Sequence, residues 1–145
     1  MFYGEFLHSI DSKGRLILPA KFREVAKAHF IEKFFVTRGL DGCLFMFSEE
    51  EWRAQESKFK AIPFTKQQAR TFNRLYFSGA VEVDFDAQGR ILIPHYLKEF
   101  AQVKRDVVIV GVSNRIEIWS KEKWESFYGN SRQSFEEIAE KLMEE

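Results

Sequence analysis

Cysteine occurs once, at Cys43, so no disulfide can form within the chain, which suits the reducing cytoplasm where the protein is expected to reside. The three histidines, His8, His29 and His95, stand at no metal-ligand spacing with one another or with Cys43, and no metal is expected on them. No run approaches the roughly 20 apolar residues of a membrane helix. The opening Met1-Phe-Tyr-Gly-Glu-Phe-Leu-His8 lacks the basic start and apolar stretch of a secretion signal, so no membrane association is expected. A glycine-rich phosphate loop and a Ser-His-Asp arrangement are also missing. These absences point away from an enzyme, and no small-molecule substrate is expected. Net charge is zero, which taken alone speaks against a nucleic-acid partner.

What is present changes that last inference. Residues 1–75 carry 13 Lys and Arg against 9 Asp and Glu, whereas residues 76–145 carry 9 against 13. Halves of opposite sign suggest a basic face on one of them, electrostatic pairing between subunits, or both. Phenylalanine is abundant, with 16 in 145 residues. So many rings imply either a Phe-rich core or aromatic subunit contacts. Head-to-tail contact between unlike faces closes into a ring when the rotation allows, so a homo-oligomer, and specifically a ring, is expected.

The two halves are copies. A shift of 75 positions lays Gly4 on Gly79, Asp11 on Asp86, Gly14 on Gly89, Arg15 on Arg90, Pro19 on Pro94, Glu24 on Glu99 and Ala26 on Ala101. Further on, a shift of 72 lays Gly39 on Gly111, Ser48 on Ser120 and Trp52 on Trp124, as a loop of different length would require. In each copy an alternating stretch such as Val81-Glu-Val-Asp-Phe reads as a half-buried strand. Asp86-Ala-Gln-Gly89 reads as a type I turn followed by a residue at positive φ. Arg90-Ile-Leu-Ile93 is then a second strand, and the proline after it opens a short helix, near Pro94–Gln102 here and near Pro19–Ala28 in the first copy. A second hairpin follows, near Phe34–Phe47 and near Val107–Ser120. Each copy is thus β-β-α-β-β, too small to bury a core alone, and the two should interlock. The organisation predicted is a first unit over 5–48, a helical linker over 49–78, a second unit over 79–121 and a C-terminal helical segment over 122–145. Within the linker, Glu49–Lys60 and Thr65–Ser78 read as helices, with Thr65 and Gln68 as a capping box; Ser134 is the expected cap of a last helix.

Asp-x-x-Gly-Arg between a strand and three aliphatics plus proline resembles the AbrB-type swapped-hairpin family of DNA-binding proteins. Two such units, an opening Met-Phe-x-Gly and Gly111-Val-Ser-Asn-Arg-Ile-Glu-Ile-Trp119 together are similar to its MraZ branch, over nearly the whole chain. The resemblance implies a mainly β fold with α-helices, a double-split β-barrel made from the two halves of one chain. It implies a sequence-specific transcription regulator, cytoplasmic and nucleoid-associated. Its partner would be double-stranded DNA at short direct repeats in the promoter of the division and cell-wall gene cluster, its own gene included. It also implies a closed ring of subunits, and neither cofactor nor catalytic residue. The competing reading from another class is an antitoxin-like or assembly protein that works through protein partners.

Read from the residues, Arg15 follows the turn glycine, where its guanidinium could reach a phosphate or a guanine edge. Lys13, Lys21 and Arg23 share its stretch, opposed only by Asp11, whereas the window 86–98 holds Arg90 and Lys98 against Asp86. The first copy is therefore expected to be the main DNA reader. The alternative is that Asp11 and Arg15, like Asp86 and Arg90, simply pair to hold the turn. Gly14 and Gly89 are expected to serve backbone geometry alone. Asp84 and Asp86, two apart on one predicted strand face, could hold a divalent ion, although Ser9 replaces the first of them in the other copy.

Overall fold

A computed structural model describes residues 1–144; Glu145, the end of the C-terminal segment predicted above, lies outside them. The first half runs β1 (Phe2–Ser9), β2 (Arg15–Ile17), α1 (Ala20–Ala28), β3 (Lys33–Arg38) and β4 (Leu44–Ser48). Helices α2 (Glu49–Lys60) and α3 (Gln67–Ser78) follow. The second half repeats the order as β5 (Val81–Asp84), β6 (Arg90–Leu92), α4 (His95–Phe100), β7 (Asp106–Ser113) and β8 (Ile116–Ser120). It ends in α5 (Lys121–Ser131), a 3-10 turn over Arg132–Ser134, and α6 (Phe135–Met143).

The halves are interlocked rather than side by side. Six strands form one antiparallel sheet in the order β1-β7-β8-β4-β3-β5, and β2 pairs with β6 in a separate ribbon. Strand β1 thus lies on β7 of the other half, from Phe2 opposite Ser113 to Ser9 opposite Asp106, and β5 lies on β3 in the same manner. Each unit lends its first hairpin to the other, which is the swapped arrangement of β-β-α-β-β units. The seam is the β4–β8 pair, where Leu44 faces Ile118 and Met46 faces Ile116. A charged cluster reinforces this seam. Glu117 is almost buried and accepts from Arg115 Nε at 2.9 Å and Trp119 Nε1 at 3.0 Å, while the Arg115 guanidinium sits 4.8 Å from the Phe45 ring centre.

Strand alternation sends side chains to two cores, one on each face of the sheet. On one face Phe2, Phe34, Val36, Leu44, Met46, Ile109 and Ile118 meet the ribbon residues Leu16 and Ile91, with Phe22 of α1 and Leu97 of α4. On the other, Phe45, Phe47, Val108, Val110 and Trp119 meet Trp52 of α2 and Tyr76 of α3. Trp52 stacks on Phe35 and on Tyr76, and touches Phe77 edge-on. Many of the Phe rings are therefore core, yet Phe30, Phe64 and Phe135 stay exposed.

Helices α2 and α5 are equivalent starts. Ser48 Oγ accepts from the Glu51 N–H and Ser120 Oγ from the Lys123 N–H, and the acids Glu49, Glu50 and Glu51 suit the positive end of α2. The capping box at Thr65 does not form. The Lys66 N–H closes a turn onto Pro63 O at 3.2 Å, so the helix begins two residues late, with Lys66 at the N-cap and no side-chain cap. Ser134 does occupy the N-cap of α6, but it completes the preceding 3-10 turn and its side chain caps nothing.

Candidate nucleic-acid interface

The two Asp-x-x-Gly-Arg segments lie at the ends of the β2–β6 ribbon. Its register sets Arg15 opposite Leu92, Leu16 opposite Ile91 and Ile17 opposite Arg90. Leu16 and Ile91 point into the core, which leaves Arg15, Ile17, Arg90 and Leu92 together on the outer face. Ile17 is 42% exposed and Leu92 58%, so this face is an apolar strip with a guanidinium at each end.

Each turn is closed in the same way. Asp11 Oδ1 accepts from the backbone N–H groups of Lys13 at 3.0 Å and Arg15 at 2.9 Å, and Oδ2 takes Arg15 Nε at 2.6 Å. Asp86 does likewise with Gln88, Arg90 and Arg90 Nε at 2.9, 2.9 and 2.8 Å. Gly14 and Gly89 donate to the carbonyls of Asp11 and Asp86, with φ of +84° and +77°. Their own carbonyls tie the halves together, since Gly14 O accepts from the Ile93 N–H at 2.7 Å and Gly89 O from the Leu18 N–H at 3.4 Å. Arg15 and Arg90 are thus ion-paired with the turn aspartates. Arg15 spends only Nε and its backbone N–H on this, and its two terminal nitrogens meet no acceptor among the described residues.

Because the units are swapped, each turn is flanked by a cation of the other unit. Arg23 donates from Nε to Leu18 O at 3.1 Å and lies against the second turn, where a Cβ on Gly89 would stand 2.8 Å from Arg23 Cδ. Its repeat equivalent Lys98 instead reaches the first turn, with Nζ 3.4 Å from Asp11 O. Lys13 and Lys21 are exposed, on the first turn and at the start of α1. The first turn is therefore flanked by Lys13 and Lys98, and the second by Arg23. Arg23 and Lys98 are repeat equivalents, and the strand swap brings each to the turn of the other unit.

The suggested divalent site on Asp84 and Asp86 is not built. Strand β5 ends at Asp84, and the Asp86 carboxylate turns inward to the N–H groups of Gln88 and Arg90. Among the described residues no three His, Cys, Asp or Glu side chains gather where an ion could be held. No helix of the described residues is long and apolar enough to cross a membrane.

The Asp11 and Asp86 carboxyls are held below the usual carboxylate range, chiefly by the backbone N–H of Arg15 and of Arg90. His8, half-buried on β1, is also held down, chiefly by burial and against a backbone hydrogen bond involving Ile17. All three shifts act in one direction, because the unfolded chain binds protons more readily than the native one. The contribution of these three groups is then full at neutral pH and above, falls as His8 of the unfolded chain protonates, and falls again as pH drops through the carboxylate range. Urea denaturation across pH should give that profile, and Asp11→Asn with Asp86→Asn should flatten its acid limb. An unchanged acid limb would mean that the turns contribute no pH-dependent stability.

Comparison with known proteins adds an independent line. Residues 1–75 and residues 76–145 each match the family model described as "MraZ protein, putative antitoxin-like". The chain is 54% identical over 142 residues to the transcriptional regulator MraZ of Acetivibrio thermocellus, covering 98% of this chain and 96% of that protein. It is 51% identical over 144 residues to the protein of the same name from Carboxydothermus hydrogenoformans, covering 99% and 98%. A third relative of that name, from Thermoanaerobacter sp., is 54% identical over 142 residues, covering 98% and 96%.

Proposed function

The chain belongs to the MraZ family, and from that premise we propose that it is a transcription regulator which binds double-stranded DNA through the outer face of the β2–β6 ribbon. The observation that carries this reading is the pair of matched turns, each holding an arginine by Nε at the edge of one exposed face. Ion pairing and DNA contact are not rivals here. A guanidinium fixed through Nε by an aspartate has its orientation set before binding, so less freedom is lost when its outer nitrogens meet guanine or phosphate. Ile17 and Leu92 between the arginines suit thymine methyl groups or sugar. Lys13, Lys21, Arg23 and Lys98 supply phosphate contacts around them.

On this reading the target is the promoter of the division and cell-wall gene cluster, its own gene included. Subunits of a homo-oligomeric ring engage successive direct repeats, in the cytoplasm and on the nucleoid. The test is a footprint on DNA upstream of the protein's own gene, repeated over a salt series. Each phosphate neutralised contributes about −0.9 to the slope of log affinity against log salt, so this many cations should give a steep line. Absence of protection with a flat salt response would favour the antitoxin-like reading, in which a protein partner takes the place of DNA.

A further inference from the structure

Helix α6 repeats the position of α3 without repeating its burial. Each follows a Ser-capped helix bearing an aligned tryptophan, Trp52 in α2 and Trp124 in α5. Helix α3 folds back so that Phe72 and Tyr76 pack on Phe59. The six residues from Ala61 to Lys66, including Pro63, give it room to turn. Between α5 and α6 stands only the 3-10 turn Arg132–Ser134, and α6 buries none of its residues. Phe135, Ile138 and Leu142 form one apolar stripe, 72%, 49% and 80% exposed, while Glu136, Glu137 and Glu140 outnumber Lys141 beside it.

The complementary surface is on the first half. From Ser57 to Val81 the chain carries Lys58, Lys60, Lys66, Arg70 and Arg74 and no acid at all. This is the last turn of α2, the connection and α3, and it exposes Ile62, Phe64 and Leu75 among those cations. At its flank a groove of about 250 Å3 opens between Leu40, Phe59 and Phe72, with Lys58 and Arg115 also lining it. Such a groove accepts an apolar anchor, and the surrounding cations select an acidic helix.

We propose that α6 of one copy docks on the α2–α3 hairpin of a second copy, its Phe135-Ile138-Leu142 stripe against Phe72, Leu75 and the Leu40 groove and its glutamates toward the hairpin cations. The contact is head-to-tail, so each chain offers one free helix and one free hairpin and assembly continues until it closes. The inference rests on the homo-oligomer part of the function proposed above and not on DNA binding.

The experiment uses the full chain and measures mass by analytical ultracentrifugation, with circular dichroism to check the fold. One variant reverses the helix (Glu136→Lys, Glu137→Lys, Glu140→Lys) and another reverses the hairpin (Lys60→Glu, Lys66→Glu, Arg74→Glu); all six side chains are exposed. Each alone should weaken association at least tenfold. An equimolar mixture should recover it, because every reversed helix then meets a reversed hairpin. Ile138→Asp should dissociate the assembly, and neither charge variant should rescue it. Variants that keep the wild-type mass would overturn the docking while leaving the homo-oligomer in place. A wild-type chain that stays monomeric at micromolar concentration would overturn both. If Ile138→Asp lowers the melting temperature of a chain whose mass is unchanged, α6 folds onto its own body and the proposal fails.

Discussion

Arg15→Ala is expected to abolish or strongly weaken promoter binding while fold and assembly persist. One bidentate guanine contact is worth about 1–3 kcal/mol of discrimination, roughly five- to 150-fold in affinity. Where several subunits hold tandem sites on one DNA, the loss recurs in each and the combined effect is multiplied. The fold should tolerate the change because Asp11 keeps its two backbone N–H partners, Lys13 and Arg15, and loses only the Nε contact. Arg90→Ala should cost less, since Gln88 stands on the second turn where Lys13 stands on the first. The strand swap leaves the number of cations at each turn unchanged, because Arg23 flanks the turn of Arg90 and Lys98 that of Arg15, one for one. Gel shifts and thermal melts on both variants decide the matter. Loss of binding by Arg90→Ala alone would invert the assignment of the two halves, and early melting with dissociation by Arg15→Ala would leave the arginine a turn-holder.

Gly14→Ala should be far more damaging to stability than Gly89→Ala, although the residues are repeat equivalents with nearly the same φ. Both pay the cost of an L side chain in the left-handed region, about 1–2 kcal/mol. At Gly14 the added Cβ would stand 2.3 Å from the Ile93 carbonyl oxygen, in the backbone that also donates the 2.7 Å hydrogen bond to Gly14 O. Relief must come from moving β6 off β2, which adds overpacking of about 1–3 kcal/mol and weakens a tie between the halves. At Gly89 the nearest atom is Arg23 Cδ, on a side chain that can swing aside. Urea midpoints should separate the two variants clearly. Gly89→Ala should also disturb DNA binding more than stability, because it displaces Arg23. Equal destabilisation would mean that the ribbon accommodates both strains alike.

Legibility differed with the range of the interaction. The repeat, the β-β-α-β-β order and the bounds Glu49–Lys60 of α2 were readable because each depends on local pattern, such as alternation and a turn glycine. The need for interlocking followed from size alone. Which strand crosses to which half did not, since Glu5, Leu7 and Tyr3 alternate identically whether their partner is β7 or a strand nearby. That gap hid an exchange of one cation for another, Arg23 lying against the second turn and Lys98 reaching the first. Thr65 failed as a cap because Pro63–Lys66 closes a turn of its own, a competition between neighbouring signals that propensity does not rank.

The pairing of β1 with β7 also governs how the protein is made. Strand β1 leaves the ribosome well before its partner, Asp106–Ser113, so it waits unpaired until that strand is made. Contacts this distant in sequence form slowly, and a waiting strand with Tyr3 and Leu7 exposed can be captured by another nascent chain. The refolding rate should therefore carry the signature of long-range closure. Where ribosomes crowd on one transcript, some β1 strands should find their β7 in a neighbour, giving exchanged dimers that are native in every local contact.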